Sequence, residues 1–256
     1  MLIVISPAKK LDFESEVKSS KYTKPDFLDD SSELVERMRD FSALDIAELM
    51  HVSNDLAELN FDRFHEWNDK FTTKNAKPSI FAFQGDVYTG FDAASLNQSE
   101  LNYAQSHLRI LSGLYGVLRP LDLMKAYRLE MGTRLENPRG KNLYEFWGTQ
   151  ITDALNEQMK KIRTTTLVNL ASNEYFKSVK KKHLDGDIIT PAFKDYKNGE
   201  YKMIGFFAKK ARGWMSRYII KNRITDVEDL RDFEEEGYRF NKKLSSESEP
   251  VFTRKQ

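Results

Sequence analysis

Short apolar runs of strand character alternate with amphipathic stretches from one end of this 256-residue chain to the other. LIVIS at 2–6 and TTLVNLAS at 165–172 are rich in β-branched residues and predict buried strands. The Asn-Gly pair at 198–199 lies between two β-rich runs and predicts a hairpin. No Pro/Gly-rich or low-complexity linker interrupts the alternation. We therefore expect one α+β domain over 1–256, with a mixed sheet surrounded by helices.

Further elements follow from periodicity and capping residues. Helices are predicted at about 32–40, 43–51, 54–69, 98–112, 142–162, 172–184 and 207–223. PSIFAFQG at 78–85 predicts another strand, and GYRF with PVFTR predicts a closing strand pair.

Composition excludes several classes of protein. The absence of cysteine excludes disulfides, thiol catalysis and Cys-ligated zinc. No run of 18 apolar residues could cross a membrane, and the N-terminus lacks the features of a signal peptide, so we expect a cytoplasmic protein. The GxGxxG, Walker, HExxH and GxSxG motifs are also absent, and we expect no cofactor.

The net charge of +1 hides a strong asymmetry along the chain. Residues 109–223 carry 23 Lys or Arg against 11 Asp or Glu. Such a concentration of positive charge predicts a basic surface with an anionic partner.

The segment SGLYGVLRPLD at 112–122 has two readings. It is a simple helix stop if Gly113 ends one helix and Pro120 opens the next. It is a helix-hairpin-helix element over about 98–126 if the glycines turn backbone N–H groups outward to hold a DNA phosphate. The spacing is G-x-x-G, whereas that element usually has G-x-G. Four basic residues surround the turn: Arg109, Arg119, Lys125 and Arg128.

A second basic element lies at 207–223, with no acid between Glu200 and Asp226. A helix there packs an apolar arc on one side and presents basic residues on another, including Lys209, Lys210, Arg212 and Arg217. The alternative is a solvated face. Lys177, Lys180, Lys181 and Lys182 form a third basic cluster.

Two other kinds of site compete with anion binding. Glu48/His51 and Asp62/His65 have the i, i+3 spacing of metal-binding pairs, although surface pairs are the simpler interpretation. Lys9 and Lys10 follow the first strand, where phosphate contacts are common. A lysine there, paired with Asp12 or Asp122, is a nucleophile only if it is desolvated.

Several blocks of this sequence together resemble the YaaA peroxide-stress-response family. They are ISPAKKLDF (5–13), FQGDVYTGF (83–91), RILSGLYGVLRPLDLMKAYRLEMGT (109–133), LYEFWGTQIT (143–152), NLASNEYFK (169–177), AKKARGWMSRYII (208–220) and EEGYRF (235–240). The resemblance implies an uncommon single-domain fold and a cytoplasmic protein of the hydrogen peroxide response that lowers unincorporated iron. It also implies binding of double-stranded DNA through a helix-hairpin-helix element and a positive cleft.

Carried onto this chain, the resemblance places the hairpin at Leu111, Gly113, Leu114, Gly116 and Arg119. It places the cleft at Lys9, Lys10, Arg109, Arg128, Arg134, Lys209, Lys210 and Arg212. With Lys125 and Arg217, these residues form the predicted DNA contacts of a monomer that binds duplex DNA, including bent or damaged DNA. We expect no catalytic residue and no metal ligand. An enzyme acting on nucleic acid or a nucleotide, and a direct iron-binding protein, remain the alternatives.

Overall fold

The N-terminal strand lies at the centre of the larger sheet. The computed structural model describes residues 1–17, 19 and 21–255. Every residue of the first strand, Leu2–Ile5, is buried, because this strand has a neighbour on each side. Its β-branched, continuous apolar sequence is typical of such a position.

The bounds of the elements are as follows. The strands are β1 Leu2–Ile5, β2 Lys10–Leu11, β3 Lys77–Pro78, β4 Phe83–Gln84, β5 Leu108–Ser112, β6 Gly116–Leu118, β7 Leu123–Met124, β8 Thr166–Leu170, β9 Asp187–Ile189, β10 Ala192–Lys197, β11 Glu200–Lys202, β12 Arg239–Phe240 and β13 Val251–Arg254. The α-helices are α1 Leu28–Arg39, α2 Ala43–Met50, α3 Asn54–Glu66, α4 Ser79–Ala82, α5 Asp86–Phe91, α6 Gln98–His107, α7 Leu143–Trp147, α8 Gln150–Lys161, α9 Asn173–Phe176 and α10 Gly205–Asn222. Short 3-10 turns lie at Ala93–Ser95, Lys181–His183, Glu228–Asp232 and Lys242–Leu244.

The larger sheet has the order β6-β5-β1-β8-β9. Strands β5, β1, β8 and β9 run parallel, and β6 returns antiparallel to β5. Ile5 is opposite Ile110 on one side and Leu170 on the other, so the carboxyl ends of three strands meet at one edge of the sheet. Ligands commonly bind at this edge in parallel sheets.

A smaller sheet, in the order β11-β10-β13-β12, covers the C-terminal part of the chain. Its β10–β11 hairpin turns at Asn198 and Gly199, which both have positive φ. The predicted Asn-Gly hairpin is therefore confirmed, as is the closing strand pair, in which β12 and β13 are antiparallel. The buried apolar side chains of both sheets belong to one continuous core, and the predicted α+β class is confirmed.

Helix α10 connects the two sheets and packs closely on α5. Their backbones touch at Gly90 and Gly213: a Cβ on Gly213 would lie 2.0 Å from the carbonyl oxygen of Val87. This contact fixes the distance between two helices that each contribute residues to the site described below.

Four sequence predictions of elements are wrong, and one of them is the helix at 98–112, which ends at His107 and is followed by β5. The single helix expected at 142–162 is two helices, α7 and α8, because Gly148 adopts a positive φ of 49° between them. The strand expected at 78–85 consists of α4 with two-residue strands on either side, and the helix at 172–184 ends after Phe176.

A candidate anion-binding cavity

A cavity of about 500 Å³ opens beside the carboxyl ends of β1 and β8. The chain segments that leave the two strands are joined by their serines. The Ser172 N–H donates to the Ser6 hydroxyl at 2.8 Å, and this hydroxyl lies 3.3 Å from that of Ser172. The segment after each strand thus becomes a wall of the cavity.

Five basic side chains from three separate parts of the chain line this cavity. They are Lys9, Lys10, Arg128, Lys209 and Arg212. Lys9 and Lys10 come from the segment after β1, Arg128 from the segment after β7, and Lys209 and Arg212 from consecutive turns of α10. The fold therefore gathers positive charge that is dispersed in the sequence.

Only part of this charge is neutralised within the protein. Glu130 accepts an ion pair from Lys9 at 2.8 Å and another from Arg128 at 3.1 Å. In residues 1–17, 19 and 21–255, no carboxylate pairs with Lys10, Lys209 or Arg212. Arg212 is also partly buried, and burial lowers the pKa of its guanidinium. A desolvated cation without a partner is unfavourable in the free protein, and an anionic ligand would relieve that cost.

The interior of the cavity is aromatic and apolar. Tyr88, Tyr127 and Tyr175 line it and are buried, together with Val87, Leu129 and Leu170. The Tyr88 hydroxyl donates to the carbonyl of Ser6 at 3.0 Å, and the Tyr127 hydroxyl is 2.6 Å from that of Ser112. Burial raises the pKa of all three phenols, so they stay protonated and neutral.

Glu174 is one of three carboxylates that line the cavity, with Asp86 and Glu130. It accepts the Gly132 N–H at 3.0 Å through one oxygen. Its other oxygen has no hydrogen-bond donor in the part of the chain that the structure describes. The cavity therefore offers an acceptor beside its aromatic surface as well as cations at its edge.

We expect Arg212→Met to make the protein more stable. Methionine keeps the aliphatic packing of the arginine stem and removes a charge that is costly to bury and that no carboxylate of the described residues pairs with. A gain of about 1 kcal/mol corresponds to a rise in Tm of about 2–4 °C in a protein of this size. Differential scanning calorimetry measures it, and an equal or lower Tm would show that Arg212 is already compensated in the free protein.

Comparisons with known proteins identify the family. A family model described as "Peroxide stress protein YaaA" matches residues 1–244. The chain belongs to the peroxide stress protein YaaA family. It is 60% identical to a "UPF0246 protein" of Saccharophagus degradans, with all of both chains covered. It is 58% identical to one of Aliivibrio fischeri strain MJ11 and 57% identical to one of Teredinibacter turnerae, over the whole chain and 99% and 100% of those proteins. The resemblance predicted from the sequence blocks is confirmed.

The predicted helix-hairpin-helix element is not present at 98–126. Helix α6 ends at His107, and the residues that follow form the β5–β6 hairpin of the central sheet. The alternative, in which Gly113 ends a helix, is also wrong, because Gly113 lies in the turn between two strands. Gly116 has the positive φ, 65°.

Core packing explains both glycines of SGLYG. A Cβ on Gly113 would lie 2.2 Å from the Leu129 carbonyl oxygen, and one on Gly116 would lie 2.7 Å from the Trp147 ring. Trp147 also donates its indole N–H to the carbonyl of Gly113 at 3.0 Å. Leu111 and Leu114 are fully buried in the same region. These four residues are thus placed against the core rather than against a ligand.

Four more of the predicted contacts are held by the protein itself. Arg109 is buried and donates to the carbonyls of Gln105 and Leu108, and Arg119 pairs with Asp26 and Asp122. Lys125 donates to Asn68, and Arg217 donates to the carbonyls of Phe91 and Asp92. Lys210 lies over the Trp214 ring and Arg134 is exposed, and neither lines the cavity.

The pairing of a lysine with Asp12 or Asp122 also differs from the prediction. Asp12 pairs with Lys77 at 3.3 Å, and Asp122 pairs with Arg119 at 3.0 Å. The Lys9 side chain is 63% exposed and pairs with Glu130. The desolvation that a nucleophilic lysine requires is therefore not found at Lys9.

Sequence reasoning missed the tyrosines and both glutamates of the cavity. Their positions could have indicated them: Ser172 and Glu174 directly follow a predicted strand, and Tyr88 follows the Gly85 turn.

Glu48/His51 and Asp62/His65 remain exposed pairs, and in the described residues no group of three or more His, Asp or Glu could hold a metal ion. No helix among the described residues is long and apolar enough to span a membrane.

Proposed function

We propose that this YaaA-family protein binds DNA in the peroxide stress response by holding backbone phosphates on the basic edge of the cavity. The observation that carries the proposal is the convergence of Lys10, Lys209 and Arg212 on one opening, where no carboxylate of the described residues forms an ion pair with them. Lysine and arginine contacts to phosphate provide affinity without reading the bases. Binding of this kind tolerates any sequence.

The basic surface extends beyond the cavity. Helix α9 separates it from a second depression, where Lys177, Lys180, Lys181 and Lys182 surround Phe176 and Val179. Glu174 and Tyr175 face the first cavity, whereas Asn173 and Phe176 face the second. A duplex lying across α9 would meet both groups of cations. We propose that the protein does this as a cytoplasmic monomer.

The family resemblance implies a lower level of unincorporated iron. We propose that this is an indirect effect of the protein. Glu48/His51 and Asp62/His65 offer two ligands each at exposed positions, fewer than a stable iron site uses. We propose that protection from iron-dependent damage acts through bound DNA. Stoichiometric Fe²⁺ binding that is lost on His51→Ala and His65→Ala would contradict this.

The test is a fluorescence-anisotropy titration of a labelled duplex at 0.1 M salt. The variant Lys10→Ala/Lys209→Ala removes two of the cations that line the cavity and that no carboxylate of the described residues pairs with. The control, Lys160→Ala/Lys161→Ala, removes two exposed lysines of α8 that do not. We expect the cavity variant to bind at least about tenfold more weakly, because each lost phosphate contact forgoes counterion release.

The control variant should bind within about twofold of the wild type, since it changes only the long-range field. Equal weakening of both variants would mean that charge alone, and not this cavity, governs binding. No binding by the wild type at this salt concentration would overturn the proposal.

A further inference from the structure

The cavity is too small for a duplex and suited to one nucleotide. Its volume of about 500 Å³ lies within the range of roughly 300–1,000 Å³ that is typical of small-molecule sites. We propose that it holds a single nucleotide unit, with the phosphate on the cations at the opening and the base against the tyrosine-lined interior. The nucleotide would be one that has turned out of bound DNA, so the inference rests on the proposed function.

The layout of the cavity matches the layout of a nucleotide. Lys9, Lys10 and Lys209 are exposed at the opening, whereas Tyr88, Tyr127 and Tyr175 are buried. A nucleotide likewise has a charged phosphate at one end and an aromatic base at the other. Bases stack on aromatic side chains with little regard to sequence, because every base has a π face.

One polar atom in the cavity is left for a ligand. It is the free oxygen of Glu174, which can accept an N–H from the edge of a base.

Phosphate alone would leave most of this site unused. Phosphate needs the cations, but neither the aromatic interior nor the acceptor at Glu174. A base that leaves the stack of a duplex could enter the cavity and meet Glu174. Turning a base out is easiest where it is unpaired, so the inference predicts a preference for DNA that contains an unpaired nucleotide.

The variant that isolates the interior is Glu174→Gln. Glutamine has nearly the same shape and can still accept the Gly132 N–H, so the fold should persist. This substitution leaves unchanged the exposed lysines on which the proposed function depends. The control is Glu157→Gln, which makes the same change at an exposed position of α8 outside the cavity.

The experiment compares two kinds of probe with wild type, Glu174→Gln and Glu157→Gln. The first kind is a duplex with a single-nucleotide bulge beside the fully paired duplex. The second is free dGMP and dAMP beside deoxyribose 5-phosphate, measured by calorimetry. We expect the wild type and Glu157→Gln to bind the bulged duplex at least fivefold more tightly than the paired one, and dGMP or dAMP tenfold more tightly than the base-free sugar phosphate. Glu174→Gln should reduce both ratios to near one.

Equal affinity for bulged and paired duplex, with no preference for a nucleotide over the sugar phosphate, would overturn the inference. Binding of the paired duplex would then remain, and the proposed function would stand. Base-dependent binding of free nucleotides without binding of either duplex would support the nucleotide site, identify its source as free nucleotides, and overturn the proposed function. A bulge preference that persists in Glu174→Gln would place the unpaired nucleotide outside the cavity and overturn the inference.

Discussion

Replacing Asp122 with alanine is expected to lower the free energy of unfolding by about 3–5 kcal/mol, the usual cost of removing one partner from a buried ion pair. The Asp122 side chain is 1% exposed. It accepts the Arg119 backbone N–H at 2.7 Å, the Arg119 guanidinium at 3.0 Å and the Thr23 hydroxyl. Alanine would leave the Arg119 backbone N–H and the Thr23 hydroxyl without this buried acceptor, while the Arg119 guanidinium would keep Asp26 and the Lys24 carbonyl.

The cost arises from the unpaired donors more than from the lost charge. Burial raises the pKa of Asp122 to about 6, so the pairing with Arg119 does not fully repay the desolvation of the carboxylate. The folded state therefore favours the protonated acid. The stability contributed in this way is complete below about pH 4 and is lost as the pH rises through about 6.

Urea unfolding at pH 7, followed by tryptophan fluorescence, measures the effect. The control is Asp26→Ala, which removes the other carboxylate on the same arginine. Asp26 is 60% exposed, so its loss should cost under about 1 kcal/mol. If the two variants lost similar free energies of unfolding, the result would contradict the prediction that the buried carboxylate of Asp122 contributes more than that of Asp26.

The second large effect is expected from Gly213→Ala, which should destabilise the fold by about 3 kcal/mol, at the upper end of overpacking costs. The added Cβ would lie 2.0 Å from the Val87 carbonyl oxygen and 2.8 Å from the Phe91 nitrogen. Both atoms belong to the backbone of α5 and cannot turn away as a side chain would. Helix α10 would have to move away from α5.

That movement would also alter the site. Helix α5 contributes Val87 and Tyr88 to the cavity, and α10 contributes Lys209 and Arg212. Gly205→Ala is the matched control on the same helix, because a Cβ there would have no atom within 4 Å. Alanine is favoured over glycine in a helix by up to about 1 kcal/mol, so this control should be neutral or slightly stabilising. Unfolding of both variants at the same denaturant concentration would contradict the tight contact of α5 and α10.

The sequence predicted elements well where local pattern and tertiary position agree. β1 and β8 are short, β-branched and buried, and α10 has an amphipathic period, so each was predicted within a few residues. The segment 108–118 was predicted wrongly because an apolar run of this length fits a buried helix or a buried strand equally well. Only its pairing beside β1, a contact distant in sequence, decides for the strand.

The sequence predicted which basic residues lie near the site. It did not predict which of them form hydrogen bonds or ion pairs within the protein. Clustered Lys and Arg identified α10 and the segment after β1, and five of the predicted basic residues line the cavity. Arg109, Arg119 and Arg217 have the same residue type, but neighbouring carbonyls and carboxylates hold them. Those partners depend on the fold, so sequence alone cannot tell a structural arginine from one that is free to bind.

The salt dependence of duplex binding, compared between the wild type and Lys10→Ala/Lys209→Ala, is the most direct measurement of the proposed DNA contacts. The logarithm of the binding constant should fall linearly with the logarithm of the salt concentration, with a slope of about 0.9 for each phosphate that is neutralised. We predict that the double variant has a slope shallower by about 0.9 for each lysine that contacts a phosphate, while Lys160→Ala/Lys161→Ala keeps the slope of the wild type. An unchanged slope in the cavity variant would contradict the account, because it would mean that the lysines at the opening of the cavity do not hold DNA phosphates.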